Sequence, residues 1–207
     1  MNTTRPRGPY AKTADVQRRI LEACIDAFGE TGFYGATTKD IAQRAGISHT
    51  GLLHHFPNKE TLLTSVLELC DQQNAAFLRS AHALNPGANP LDALTGMLTV
   101  VVESELRPGI VELRCVLSGE ATSPQHPAHD YFAARSKTAR SFYARVFSAL
   151  AKQGALESPL DPEALASITT ALIGGLQAQW LLDRASVNLE ITIRAFLQSI
   201  VPGLRRR

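Results

Sequence analysis

The side chains best suited to chemistry lie close together between residues 48 and 54. Ser48, His49, Thr50 and His54 carry hydroxyl and imidazole groups that can donate and accept hydrogen bonds. No catalytic pattern accompanies them, because the sequence has no G-x-S-x-G elbow, no H-E-x-x-H pair, no phosphate loop ending in G-K-[ST] and no dinucleotide fingerprint. The pattern therefore predicts noncovalent binding rather than an enzyme.

Metal and redox chemistry are not indicated either. His126 and His129 have i, i+3 spacing, but Asp130 is the only metal-ligating side chain beside them, so we expect no metal site. The cysteines are odd in number, distant from one another and free of C-x-x-C pairs; they are Cys24, Cys70 and Cys115. We therefore expect no cofactor and a reducing, cytoplasmic setting.

Two short helices should present the polar cluster. A T-x-x-D start at Thr37 predicts a helix over 37–46, and Ser48 is placed to cap a second helix over 48–56 that ends before Pro57. Only Gly46 and Ile47 separate them, and a supporting helix over 15–29 precedes them. This arrangement is typical of a helix-turn-helix that places its second helix in a DNA major groove.

The N-terminal part of the chain, which contains the predicted helix-turn-helix, also carries the excess of positive charge. The formal net charge is only +2. Through residue 59 there are eight Lys and Arg side chains against five Asp and Glu, whereas the remainder has thirteen against fourteen. Residues 1–12, with Arg5 and Arg7, are predicted to form a basic, flexible arm rather than a secretory signal. A net charge this small also argues against an architectural protein that binds phosphates alone.

The run FGETGFYGATTKDIAQRAGISHTGLLHHFPNKETLL resembles the DNA-binding region of tetracycline-repressor-family regulators, and the likeness covers about residues 13–63. The shared features are a glycine-containing turn, a threonine pair, I-A, A-G-(V/I)-S, L-(aromatic)-x-(H/Y)-F and K-x-x-L. This chain supplies them with Gly32, Thr37, Thr38, Ile41, Ala42, Ala45, Gly46, Ile47, Ser48, Leu52, His55, Phe56, Lys59 and Leu62.

The resemblance implies a DNA-contact set in which phosphates and bases are touched by different residues. It places Thr38, Ser48, Leu53 and Lys59 at phosphates, and His49, Thr50 and His54 at bases. Arg5 and Arg7 could follow a neighbouring groove. Thr37 and Gly51 complete the predicted contact set.

Two positions depart from the family pattern. Leu53 stands where a phosphate-contacting tyrosine is usual, which puts that contact in doubt. Thr50 and Gly51 stand where glycine and then a small or polar residue are common. Glycine inside a helix costs ~1 kcal/mol relative to alanine, so Gly51 is either needed for close approach to DNA or is a tolerated surface residue.

Apolar residues recur at three- and four-residue spacing through the rest of the chain, which predicts an all-α fold of about nine helices. A long fourth helix should run from residue 58 toward 84 and join the two parts. Five more are expected over 90–106, 110–121, 127–153, 161–184 and 188–202.

The resemblance further implies that residues 64–207 form a ligand-binding and dimerisation domain. Candidate pocket residues, chosen as apolar walls with a few polar anchors, are Phe77, Met97, Arg114, Gln177 and Trp180. The helix over 161–184, which carries no charged side chain from 164 to 182, suits a homodimer interface through Leu172, Gly175, Leu176, Gln179 and Leu182; the alternative is a helix buried within its own chain. Its Ser, Thr and Gln content argues against a membrane span.

Together these observations predict a sequence-specific transcriptional regulator. Its partners would be double-stranded operator DNA with an inverted repeat, a second copy of the chain and an unknown small-molecule effector. Release of a repressor from its operator by that effector is the expected mode of action.

Overall fold

The computed structural model describes residues 9–80 and 89–206, and within them the fold is all-α, as predicted. The nine helices are α1 Pro9–Gly35, α2 Thr38–Arg44, α3 His49–His55, α4 Lys59–Ser80, α5 Pro90–Glu105, α6 Pro108–Glu120, α7 His129–Lys152, α8 Pro162–Leu182 and α9 Leu189–Ile200. A 3-10 helix, Pro202–Arg206, follows. Arg5 and Arg7 lie outside the described residues.

The first helix is longer than the predicted range of 15–29, although Gly32, which the sequence also offers as a helix breaker, interrupts it. α1 begins at Pro9 rather than near residue 15, and it continues through Gly29 to a kink at Gly32, where φ is 72°. Gly29 does not end the helix because it is a contact residue: a Cβ there would lie 3.3 Å from the backbone nitrogen of Leu113 in α6. Gly29 therefore lets α6 pack closely against α1.

Side-chain caps fix the starts of the next three helices. The Thr37 hydroxyl accepts a hydrogen bond from the Asp40 N–H over 3.1 Å, and the Ser48 hydroxyl accepts one from the Gly51 N–H over 3.0 Å. Asn58 Oδ1 accepts from the Thr61 N–H over 2.8 Å. Each cap satisfies a backbone donor that the helix itself leaves free. The predicted T-x-x-D and Ser starts are confirmed.

The first hydrophobic core extends beyond the helix-turn-helix. Ile20, Phe28, Ile41 and Leu52 are fully buried in it, and Leu113 of α6 joins them at 0% exposure. The helix-turn-helix therefore shares its core with the larger part of the chain. A boundary near residue 63 remains a prediction.

A second core holds α5, α7, α8 and α9 together. Its largest fully buried side chains include Leu94, Phe147, Leu150 and Leu165. One helix of the described chain, α8, is long and apolar enough to cross a membrane by length and composition alone. Only 28% of its most apolar 18-residue stretch is buried within the chain.

A single carboxylate joins the α1 turn to the end of α6. Glu120 Oε2 accepts a hydrogen bond from the Phe33 N–H over 2.7 Å. The same carboxylate occupies the space that a side chain at Gly32 would need. Glycine is thus required at 32 both by its positive φ and by the approach of Glu120.

We expect Gly32→Ala to destabilise the protein more than Gly154→Ala does. Both glycines have positive φ, 72° and 65°, but a Cβ at Gly154 would meet nothing within 4 Å. The matched control therefore isolates backbone strain, ~1–2 kcal/mol, from displacement of Glu120, which adds ~1–3 kcal/mol. Urea unfolding of both variants measures the difference, and equal losses would contradict the role assigned to Glu120.

Candidate functional site

The exposed face of α3 carries the polar side chains predicted from the sequence. His49, Thr50 and His54 are exposed, and Leu53 is 38% exposed. Leu52 is fully buried on the opposite face and anchors α3 in the core. The helix can therefore present several hydrogen-bonding groups to one surface while its inner face stays fixed.

The start of α2 contributes to the same surface. Thr38 Oγ1 and His49 Nε2 are 2.9 Å apart, so the two side chains share a hydrogen bond across the turn between the helices. The sequence pattern placed these residues in different roles but did not reveal that they touch. Their contact orients the imidazole before any partner binds.

Lys59 has a structural role beside the expected phosphate contact. Its Nζ donates a hydrogen bond to the Ala36 carbonyl over 3.1 Å and lies 4.4 Å from the centre of the Phe33 ring. An ammonium has three donors, so others remain for a phosphate. Lys59 thus ties α4 to the turn that precedes α2.

Gly51 has a local explanation that neither earlier alternative included. A Cβ at this position would lie 3.1 Å from Ser48 Oγ, the hydroxyl that caps the helix. Glycine therefore lets the Ser48 hydroxyl approach the Gly51 N–H without crowding. The helix cap is therefore a reason for glycine at position 51 that involves no contact with DNA.

Not every basic side chain near this surface is free to bind an anion. Arg44 forms a two-pronged ion pair with Glu30, at 2.9 and 2.8 Å, and also bonds to Asp40 over 2.8 Å. The pKa of Glu30 is lowered, mainly because its carboxylate accepts hydrogen bonds from Arg44. Arg44 is therefore engaged in holding α2 against α1.

A cavity of about 690 Å³ lies among α5, α6, α7 and α8. Three of the predicted pocket residues, Met97, Arg114 and Gln177, line it together. Trp180 does not: it is 7% exposed in the second core, beneath the Arg184 guanidinium at 4.9 Å. The structure thus gives no support to Trp180 as a pocket residue, and the side chain of Phe77 lies outside the described residues.

Sequence reasoning missed several lining side chains that carry chemistry. Arg107, Arg135 and Tyr143 face the cavity together with His129. Helical periodicity identifies a polar and an apolar face, but it cannot show which faces of α6 and α7 enclose a shared space. These lining residues can be identified only from the way the helices pack in the structure.

The predicted dimer residues lie on different sides of α8. Gly175 and Gln179 are exposed, Leu182 is 89% exposed, and Leu172 is half-buried, whereas Leu176 is buried at 8% within its own chain. Leu176 therefore packs inward rather than toward a partner. The exposed face also includes Ile168 at 41%, and Ile191 of α9 is 65% exposed.

Family models match both parts of the chain. The model described as "Bacterial regulatory proteins, tetR family" matches residues 20–66, and the model described as "BetI-type transcriptional repressor, C-terminal" matches residues 90–202. The chain is 26% identical to the HTH-type transcriptional repressor BepR of Brucella suis biovar 1 (strain 1330), over 96% of each sequence.

Solved structures share the fold. A TetR-family transcriptional regulator from Rhodococcus sp. superposes with a TM-score of 0.66 at 24% identity, covering 91% of this chain and 99% of that one. The SmeT–triclosan complex gives a TM-score of 0.70 at 18% identity, covering 91% and 93%; SmeT is the repressor of the multidrug efflux pump SmeDEF of Stenotrophomonas maltophilia.

The helix-turn-helix and the helical body around a cavity define a DNA-binding transcriptional regulator. The chain belongs to the tetR family of bacterial regulatory proteins. The resemblance that the motif at 28–63 indicated is confirmed.

We expect variants of the exposed face to fall into two classes. His49→Ala and Thr50→Ala should each cost ~1–3 kcal/mol on the preferred sequence and relax discrimination. Lys59→Ala should weaken all sequences alike and reduce the salt dependence by about one phosphate contact. It should also lower thermal stability, since it removes the bond to Ala36.

Titrations of specific and scrambled duplexes at several salt concentrations distinguish the two classes. Lys137→Ala, an exposed lysine on α7, is the matched control and should change neither affinity nor stability. The assignment would be wrong if all three variants showed the same sequence-independent loss.

Proposed function

We propose that the chain acts in the bacterial cytoplasm as a homodimeric repressor that a small molecule releases from its operator. One observation carries the proposal: α6 lines the cavity and, at its last residue, bonds to the turn that leads into the helix-turn-helix. A ligand in the cavity and a DNA duplex on α3 would therefore act on the same helix.

On DNA, α3 enters a major groove and His49, Thr50 and His54 contact base edges. Ser48 and Thr38 lie at the helix starts, where hydroxyls and backbone N–H groups suit phosphate oxygens. Leu53, exposed but apolar, adds surface contact in place of the hydrogen bond that a tyrosine would make. Two such helices in a dimer would bind an inverted repeat.

The exposed face of α8 forms the dimer interface. Leu182 and Ile168 leave apolar surface in water, while Gly175 and other small residues allow a second helix to come close. A soluble chain with so little of an apolar helix buried in its own core is best completed by a second copy. Leu172 and Gln179 share this face at helical spacing, and Ile191 of α9 is another exposed apolar side chain.

Two routes connect the cavity to the DNA-facing unit. The first is α6, which carries Arg114 and Cys115 on the cavity and Glu120 at the Phe33 turn. The second is α4, the helix that follows the recognition helix. Its Asp71 accepts a hydrogen bond from Arg135 over 2.8 Å, and its Gln73 accepts one from Arg107 over 3.0 Å.

A ligand that binds these arginines changes the partners of both α4 and α6. The conformation that it favours would set the two recognition helices at a spacing that does not match the operator, so release is a shift of population. BepR is named a repressor, and the structure of the repressor SmeT was solved with triclosan, which supports a small-molecule-responsive mode in this fold.

Selection of duplexes from a random pool by the purified protein, at near-physiological salt, tests the proposed DNA binding. We expect an inverted repeat to be enriched, because two identical recognition helices related by a two-fold axis read the same half-site twice. Absence of enrichment with a folded dimer would contradict sequence-specific repression.

We expect Leu182→Asp to break the dimer and, with it, operator binding. A carboxylate forced into an apolar interface on both protomers should weaken dimerisation by at least about 100-fold. Sedimentation velocity measures the change. The matched control is Leu106→Asp, at a position 72% exposed beyond the end of α5, which should stay dimeric; a dimer unaffected by Leu182→Asp would place the interface elsewhere.

A further inference from the structure

The charged groups that line the cavity are all basic. Arg107, Arg114 and Arg135 enter from the start of α6, its middle and α7, and His129 stands nearby. No Asp or Glu is among the lining residues of the described chain. A cationic ligand would therefore add a like charge beside three guanidinium groups, whereas an anion would be attracted.

Arg114 differs from the other two arginines because it lacks a counterpart. Arg135 is paired with Asp71 and Arg107 with Gln73, but Nη2 of Arg114 is inaccessible to solvent and has no hydrogen-bond partner among the described residues. The pKa of Arg114 is lowered to about 10, mainly by burial and secondly by the positive charge of the neighbouring Arg135. An unpaired buried charge is costly unless a ligand completes it.

Most hydroxyl groups on the cavity wall are already bonded to their own helix. Ser104 donates to Val101 O over 2.6 Å, and Thr170 donates to Ala166 O over 2.8 Å. The Tyr143 hydroxyl is the exception: it is fully buried and has no partner in the described chain. Arg114 and Tyr143 thus both line the cavity, and each carries a donor atom without a partner in the described chain.

The remaining wall is largely apolar. Met97, Val100 and Val101 come from α5, Phe132 from α7 and Ile173 from α8. A volume of about 690 Å³ is within the range of cavities that hold small organic ligands. The wall accommodates an apolar body, and the Arg114 guanidinium accommodates one acidic head.

We propose that the cavity takes an amphiphilic organic acid, whose carboxylate binds Arg114 and whose apolar body fills the space between α5 and α8. The acid-binding site is argued from the cavity alone. Only the further statement that the acid is the effector rests on the proposed function. The planar guanidinium matches a carboxylate through two parallel hydrogen bonds.

Calorimetric titration of the full chain with matched probes tests the proposal. Hexanoate, decanoate and tetradecanoate are compared with the neutral amide and the ammonium of the same chain length. At the length that fits best, the acid should bind at least about 10-fold more tightly than its amide, since one charge-assisted hydrogen bond is the difference. The ammonium should bind most weakly.

Arg114→Gln should abolish the preference for the acid and leave the affinity for the amide within about 3-fold. Because the guanidinium is buried and unpaired, we expect this variant to unfold at the same temperature as the natural protein or higher. Arg114→Lys, which keeps one charge but not the planar fork, is the second variant and should retain a reduced preference. Arg145→Gln, at an exposed position on α7, is the matched control and should bind as the natural protein does.

The proposal is overturned if amide or ammonium binds as well as the acid, if no acid binds, or if Arg114→Gln keeps the preference. Operator release is measured separately on a selected duplex. If an acid binds without releasing DNA, its role as effector is contradicted, but the acid-binding site stands. Release by a neutral or cationic probe would contradict the acid site and keep ligand-responsive repression.

Discussion

The close contact between α1 and α6 is the constraint on which the rest of the structure depends. Gly29 allows the backbone of α6 to approach, and Glu120 at the far end of α6 bonds to the Phe33 N–H at the kink in α1. Leu113 fills the core between them. The helix-turn-helix therefore shares its core with a helix that also forms the cavity wall.

The distribution of ion pairs follows from what each arginine must do. Arg44 is fully engaged by Glu30 and Asp40 and holds α2 in place, so its role is structural. Arg135 and Arg107 bridge the cavity to α4, which joins recognition helix and body. Arg114 alone among these four has a buried nitrogen without a partner in the described chain, and it is the one that a ligand can satisfy.

Local sequence signals predicted the helices and the exposed polar face of α3 well. The caps at Thr37 and Ser48 and the turn at Gly46 are short-range chemistry, and they appear where the spacing placed them. Gly29 was misinterpreted as a helix end because its reason is a neighbouring helix 84 positions away at Leu113. Leu176 was assigned to the dimer interface and Trp180 to the ligand pocket, although the packing of α8 places both in the second core.

The cavity shows the same limit. Met97, Arg114 and Gln177 could be proposed from residue type, but Arg107, Arg135 and Tyr143 become neighbours only when α6 and α7 enclose the space. Charge composition gave no warning, since the C-terminal part is nearly neutral. What matters is that three of its arginines line the cavity, whereas none of its described acids does.

The central claim is that operator and cavity act on one another through α6, and amide hydrogen exchange with and without a selected operator duplex tests it most directly. By reciprocity, DNA bound at α3 must also alter the cavity wall if the two are coupled. The account predicts changed protection at residues 32–36 and along α6 as well as at α3. Protection that changes only in α2 and α3 would contradict it.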